Sequence, residues 1–253
     1  MAAKCRVLDA SVGPRVYAKQ VPPYPAPSSR EADSVIHQTP AIDSLRERYL
    51  AAQLSGNRQE ALRLLVDEGL LCGVPLQDLH LEVIQRAQYE IGRLWQENRI
   101  SVAQEHMATA ISQFVLAHLY RHLPRDPSNG KVVMMACVEG ELHEVGARMA
   151  SDFLEMAGFD VRFIGANVPA DHLARLVREA PPHLLALSVT MPFHMPQVRE
   201  AVSKVRTVAP RLPIAVGGLA FDWGPVLQEE LGVAFFGKSA RELVSAACRT
   251  LGV

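Results

Sequence analysis

The chain has 253 residues, of which 49% are hydrophobic, so it is long enough to bury one or two apolar cores. Its 26 basic and 27 acidic side chains give a net charge of −1, which disfavours binding of nucleic acid or anionic lipid by bulk charge alone. No long apolar run or secretory signal is visible and the 4 cysteines form no CxxC pair, so we expect a soluble cytoplasmic protein without a zinc ribbon or disulfide framework.

The first part of the chain divides into a tail and a helical region. Residues 1–38 contain five prolines and no sustained hydrophobic period, which predicts a flexible tail with polyproline character. Residues 39–125 show apolar side chains at helical spacing, separated by short turn signals, and Ser101 stands three residues before Gln104, as in a capping box. Four helices joined by short loops predict an antiparallel four-helix bundle.

After a linker, residues 130–253 alternate between short apolar runs and amphipathic segments. Five strands, each followed by a helix, indicate an α/β fold with a Rossmann-like, flavodoxin-like, five-stranded parallel sheet. The predicted strands are 132–137, 161–164, 184–189, 214–216 and 234–236, and the predicted helices are 142–156, 171–179, 197–208, 223–231 and 240–251. In such sheets a ligand binds beyond the carboxyl ends of the strands, where the strand order reverses.

Polar and glycine residues follow three of these strands. After the first strand, Glu141 precedes His143 by two residues, and a carboxylate that accepts one ring N–H makes the other nitrogen a better metal ligand. Gly146 allows a bulky ligand to approach the chain closely. The third strand ends near the hydroxyls of Ser188 and Thr190, which could bind a ligand tail, and the fourth runs into a glycine pair, Gly217 and Gly218.

These residues together resemble the signature of cobalamin-binding proteins, Asp-x-His-x-x-Gly followed by Ser-x-Thr and Gly-Gly. The resemblance implies that His143 replaces dimethylbenzimidazole as the lower axial ligand of cobalt. It also implies that the displaced nucleotide tail inserts beside the hydroxyls and glycines. Glu141 departs from the family's aspartate, although its longer side chain still reaches a ring N–H.

A second pattern lies in the helical region, where Trp95 is followed after nine residues by Glu105 and His106. It resembles the cap of CarH-type light-sensing regulators, in which a bundle covers the upper face of the corrin. The resemblance implies that Trp95 shields the upper axial group and that Glu105 and His106 contact it. The likeness covers the chain from about residue 40 to its end.

Two departures from CarH-type proteins shape the functional hypothesis. Only the proline-rich tail precedes the bundle where those proteins have a helix-turn-helix domain, and Gln96 stands where they have a cobalt-capturing histidine. The chain therefore resembles the AerR/PpaA antirepressors, which implies a light-responsive, non-enzymatic regulator that binds adenosylcobalamin or hydroxocobalamin. Its partner would be a DNA-binding repressor of photosynthesis genes, of the CrtJ/PpsR type, so that contact with DNA is mainly indirect.

An alternative stays open: a corrinoid carrier of a methyltransferase system would use the same His143 loop and a similar bundle. Bulky residues over the upper face favour the sensor, because a carrier must expose that face to its partners. The chain could also supply an upper cobalt ligand from His37, at the end of the tail, or from His106. We assign no role to His172, His183 and His194.

Overall fold

The computed structural model describes residues 39–222, 231–237 and 239–253. Its N-terminal part is a bundle of four helices, as the sequence predicts. Two of them change hydrogen-bonding pattern along their length. The helix over 58–72 contains a π-helical turn at Leu64–Gly69, and the helix over 76–96 contains one at Leu79–Gln85. The helices are α1 (Thr39–Leu54), α2 (58–72), α3 (76–96) and α4 (Val102–Leu119), and a short 3₁₀ turn, Tyr120–His122, follows α4.

The apolar faces predicted from helical spacing point into a common core. On α3, every residue predicted to share one face is at least 94% buried: Leu76, Leu79, Val83, Ala87, Ile91 and Leu94. Helix α4 begins at the predicted capping box, in which Ser101 and Gln104 satisfy each other's backbone N–H groups. Helical spacing also predicts Met107 on the buried face of α4, but its side chain lies on the surface and packs over the turn at Gly56.

The C-terminal part is a five-stranded parallel sheet with strand order β2-β1-β3-β4-β5, which confirms the predicted fold class. Because the order reverses between β1 and β3, the carboxyl ends of these two strands form the edge where a ligand is expected. The elements are β1 (Val132–Val138), α5 (Val145–Met156), β2 (Asp160–Val168), α6 (Ala170–Glu179), β3 (Leu184–Ser188), α7 (Met195–Val208), β4 (Ile214–Gly217), β5 (Phe235–Gly237) and α8 (Ala240–Leu251).

Helix α5 belongs to the cores of both domains. Met149 and Phe153 pack into the bundle core, whereas Ala147 and Leu154 pack against the sheet. A buried polar pair reinforces this junction, since His80 Nε2 lies 2.9 Å from Asp152 Oδ2 while His80 Nδ1 donates to the carbonyl of Leu76 at 2.9 Å. The bundle is thereby held against the same side of the sheet as α5, directly after the strand that leads to His143.

One predicted helix differs from the structure at its start, and two predicted segments lie mostly or wholly outside the described residues. Helix α5 begins at Val145 rather than Leu142, because residues 139–144 form a loop whose backbone groups bond to neighbouring strand ends. Most of the predicted helix 223–231 lies outside the described residues, as does the predicted tail 1–38.

Two further observations concern the cysteines and the helices. Cys72, Cys137 and Cys248 are free thiols, with no disulfide among the described residues. Within the same described ranges, every helix is too short or too polar to cross a lipid bilayer.

We predict that Gly158 is required by the fold and that Gly130, in a similar backbone conformation, is not. Both have positive φ, +81° and +71°, but a Cβ on Gly158 would lie 2.4 Å from the carbonyl oxygen of Pro127, whereas one on Gly130 meets nothing within 4 Å. Gly130→Ala should lower the free energy of unfolding by about 1 kcal/mol. Gly158→Ala should lower it by about 3 kcal/mol, because a steric clash adds to the backbone cost. If urea denaturation showed the same loss of unfolding free energy for Gly130→Ala and Gly158→Ala, this assignment would be wrong.

Candidate functional site

A cavity of about 380 Å³ lies between the bundle and the carboxyl ends of β1, β3 and β4. The sheet domain forms its floor, and helices α3 and α4 form its roof. Cys137, Ser188 and Gly217 are paired in register across the three strands, so the loops that follow the strands emerge side by side. The cavity has the size of a ligand pocket and lies at the topological switch point of the sheet.

His143 lies on the floor with one ring nitrogen held and the other free. Its Nδ1–H donates to Glu141 Oε1 at 2.5 Å, and its backbone N–H donates to the same oxygen at 2.9 Å. The Nε2 atom has no hydrogen-bond partner among the described residues, and the half-exposed ring lines the cavity. The arrangement fixes the tautomer and leaves Nε2 available to bind a metal.

The charges around His143 favour its ordered hydrogen bond. Burial alone lowers the pKa of His143. The hydrogen bond and charge of Glu141, together with the charge of Glu105 on α4, raise it by more, so the pKa of His143 is raised. Burial likewise raises the pKa of Glu141, but its bonds to His143 and to the backbone lower it to about 2. Glu141 is therefore an anion and a strong acceptor in this loop.

Glu141 also connects the loop after β1 to the loop after β3. Its side chain is fully buried, and Oε2 accepts from the backbone N–H groups of Thr190 and Met191 at 2.8 and 3.0 Å. His194 Nδ1 lies 3.2 Å from the same oxygen, which gives a residue without a predicted role a clear structural one. No local sequence pattern identifies His194, because it lies 53 residues away from Glu141.

The predicted residues at the ends of β3 and β4 line the same cavity. The side chains of Ser188 and Thr190 face it, and Gly217 and Gly218 border it. Gly218 cannot be replaced without a shift, since its φ is +111° and a Cβ would lie 2.2 Å from the carbonyl oxygen of Val189. The glycine pair thus allows the strand ends to pack closely beside the cavity.

Small side chains extend the cavity from the floor into the sheet domain. Gly146 lies at the edge of the cavity, and a Cβ added to it would meet nothing within 4 Å. Beyond it, the cavity extends as a slot between the sheet and helices α5 and α8. The slot is lined by alanines at positions 147, 150, 186, 215 and 240, together with Met135, Met149 and Leu243. This slot gives a long, narrow ligand tail room beside Ser188 and Thr190.

The roof carries the three residues predicted from the second pattern. Trp95 on α3 and Glu105 and His106 on α4 all line the cavity, opposite His143. Glu105 Oε1 accepts from the Thr109 hydroxyl at 2.9 Å, and Glu105 Oε2 accepts from His106 Nδ1 at 2.5 Å. The His106 side chain is 75% exposed, so its Nε2 is accessible at the cavity mouth.

Two further residues of the sequence analysis have different outcomes. Gln96 lines the cavity next to Trp95, so an amide rather than an imidazole stands there. His37, predicted as a second source of an upper cobalt ligand, lies outside the described residues.

The residues around the cavity fit a cobalt corrinoid. An imidazole nitrogen is presented to the cavity by a buried carboxylate, which is how proteins orient a histidine towards a metal. The thiol of Cys137 is buried and does not line the cavity, and burial and then the charges of Glu141 and Glu144 raise its pKa to about 12. When bound there, cobalamin would be held by His143 at cobalt and by the slot along its tail.

Comparison with known protein families identifies both domains. Residues 131–246 match a family described as a B12 binding domain, and residues 45–120 match a second family with the same description. The fold resembles the solved structure of a monomethylamine corrinoid protein from Methanosarcina barkeri. The TM-score is 0.71 at 18% identity, and the match covers 82% of this chain and 98% of that one.

Relatives with known roles fall into two groups. The chain is 31% identical over 199 residues to the HTH-type transcriptional repressor CarH of Myxococcus xanthus, covering 78% of this chain. It spans 65% of the length of CarH. It is also 24% identical over 165 residues to dimethylamine corrinoid protein 1 of Methanosarcina acetivorans, covering 62% of this chain and 75% of that protein.

We predict that His143→Ala sharply weakens cobalamin retention, because the variant removes the metal-binding nitrogen and leaves Glu141 without its ring donor. The matched control is His172→Ala, since His172 is an exposed histidine on α6 that lies outside the cavity lining and whose ring nitrogen is hydrogen-bonded to Arg175. After desalting, the wild type and the control should stay red, whereas His143→Ala should retain about tenfold less cobalamin than the wild type. An equally red His143→Ala protein would refute the assignment of the ligand.

Proposed function

The chain is a cobalamin-binding, CarH-like protein built from two B12 binding domains, and on that premise we propose that it is a light-responsive transcriptional regulator. It would act as an antirepressor: in one state of its cobalamin it binds a DNA-binding repressor and relieves repression. The repressor expected from the resemblance to the AerR/PpaA proteins is one of photosynthesis genes, of the CrtJ/PpsR type.

The observation that supports a sensor is the composition of the roof. The indole of Trp95, the carboxylate of Glu105 and the imidazole of His106 line the cavity opposite His143. A group on the upper face of the corrin would touch these side chains and be sheltered from a second protein's active site. A sensor benefits from such shelter, because its upper group has to change state without reaction with a partner.

Light control follows from how these residues meet the upper group. Alkylcobalamins supply a cobalt–carbon bond that visible light breaks. Trp95 would pack against the upper group before that event, and the Glu105–His106 pair, joined by a 2.5 Å hydrogen bond, would rearrange after it. Because α4 also carries residues of the bundle core, a change in the roof would alter the surface of the bundle.

Action through a partner is supported by charge and architecture. The chain has a net charge of −1, whereas domains that bind DNA directly are usually strongly basic. Across the residues that the structure describes, every helix belongs either to the bundle or to the sheet domain, and none forms a separate helix-turn-helix unit. We therefore expect recognition of DNA to come from the repressor that the chain binds.

A corrinoid carrier of a methyltransferase system is the second candidate. Its support is the similarity to dimethylamine corrinoid protein 1 and the His143 floor, which suits either role. The two functions differ in what changes the state of the cobalamin in use: reduction and methylation in a carrier, illumination in a sensor.

We predict that the adenosylcobalamin-loaded protein changes its visible spectrum on illumination and that the change alters its binding to a DNA-binding repressor. Pull-downs with the purified chain, dark and lit, measure the second effect. Trp95→Ala should still bind cobalamin through His143. It should lose most of the difference in repressor binding between the dark and lit states, because the indole no longer contacts the upper group.

Two results would reject the antirepressor proposal. One is tight, sequence-specific DNA binding by this chain alone in a gel-shift assay. The other is repressor binding that is the same with and without cobalamin. Methyl transfer to a partner enzyme without any response to light would favour the carrier.

We further predict that a histidine of this chain occupies the upper face of hydroxocobalamin, since water on cobalt is readily replaced by imidazole. The two candidates are His37, which lies outside the described residues, and His106, which offers an exposed side chain at the cavity. Spectra of wild type, His106→Ala and His37→Ala with hydroxocobalamin should show bis-imidazole bands that one of the two variants loses. A water-ligated spectrum in the wild type would exclude this capture.

A further inference from the structure

The end of β2 departs from regular strand geometry where it passes the loop that presents His143. Its pairing with β1 shifts register twice, between Phe163 and Gly165 and again before Val168. Two residues in this short stretch have a left-handed backbone, Gly165 at φ +98° and Asn167 at φ +54°. Bulges of this kind redirect peptide groups away from the ladder, and strained residues of this kind persist only where surrounding contacts hold them.

The redirected groups bond to the His143 loop. Asn167 N–H donates to the carbonyl oxygen of Glu141 at 2.9 Å, and Asn167 Oδ1 accepts from the N–H of Gly140 at 2.8 Å. One residue thus binds two consecutive residues of the loop, one through its backbone and one through its side chain. The loop residues it holds include Glu141, which in turn orients His143.

A third bond joins the same strand end to the other side of the loop. The N–H of Ala166 donates to Glu144 Oε2 at 3.2 Å, and Gly165 leaves room for that carboxylate, since a Cβ there would lie 3.1 Å from the same oxygen. Glu144 Oε1 accepts from Gln113 Nε2 of α4 at 3.1 Å, which extends the contact to the helix that carries Glu105. Residues 140–144 are therefore supported along their length by the end of β2.

From these contacts we propose that Asn167 is a positioning residue for the cobalt ligand. It holds the backbone at Gly140 and Glu141, so that the Glu141 carboxylate stays in place and His143 Nε2 is presented at a fixed position. An asparagine suits this position because it tolerates positive φ better than most residues and its side chain supplies a short acceptor. The role concerns cobalamin binding itself and does not depend on the proposed regulatory function.

Two substitutions separate the side-chain bond from the backbone conformation. Asn167→Gly keeps positive φ and the N–H to Glu141 but loses the acceptor for Gly140. Asn167→Asp keeps an acceptor oxygen in a residue that also tolerates positive φ. The matched control is Asn98→Gly, since Asn98 has nearly the same φ, 55°, and lies in the turn after α3, away from the loop.

Three measurements are needed: amide hydrogen exchange in the cobalamin-free protein, the visible spectrum of bound adenosylcobalamin and the rate of cobalamin release. Asn167→Gly should speed exchange at Gly140 and cobalamin release by about fivefold to tenfold, the effect of one lost hydrogen bond. It should also shift the spectrum towards cobalt without a lower nitrogen ligand. Asn167→Asp should restore all three to within about twofold, and Asn98→Gly should leave them unchanged.

Either of two outcomes overturns the proposal. In the first, Asn167→Gly keeps the wild-type spectrum and release rate. In the second, Asn167→Asp behaves like Asn167→Gly although the melting temperatures of the two cobalamin-free variants match the wild type. The melting temperatures also separate this role from a general loss of stability, which would appear without cobalamin as well.

Discussion

The candidate site depends on one buried anion. Glu141 is fully inaccessible to solvent and accepts five hydrogen bonds, two from His143, one each from the backbones of Thr190 and Met191, and one from His194. A buried carboxylate is tolerated only when its lone pairs are satisfied, so these donors must stay where they are. The loops after β1 and β3 are thereby fixed to each other, and the imidazole that faces the cavity is fixed with them.

Helix α5 carries this order from the floor to the roof. It starts one residue after Glu144, packs against the sheet on one side and enters the bundle core on the other. The buried pair of His80 and Asp152 sets α3 against it, and α3 carries Trp95 at its far end. Because protein interiors are closely packed, these contacts of α5 restrain the position of the roof relative to His143.

The floor and the roof carry different functional information. A histidine held by a carboxylate, with a slot for a nucleotide tail, serves any protein that binds cobalamin in this way, whether it transports methyl groups or senses light. The side chains opposite, Trp95, Glu105 and His106, decide what touches the upper face of the corrin. The regulatory proposal therefore depends on the bundle, whose side chains line the cavity opposite His143.

Sequence periodicity determined the layers of the fold and the residues that border the cavity. Hydrophobic spacing predicted the bundle helices and every strand to within four residues at each end, because buried faces must repeat with the period of the element that buries them. The residues chosen from motifs at the strand ends meet around one cavity because the carboxyl ends of parallel strands share an edge. The packing of α3 and α4 adds Trp95, Glu105 and His106 to the same cavity. His194 and Asn167 could not be found in this way. Their partners lie 53 and 27 residues away in the chain, and only the packed sheet, with its bulged β2 and its buried carboxylate, brings them to the His143 loop.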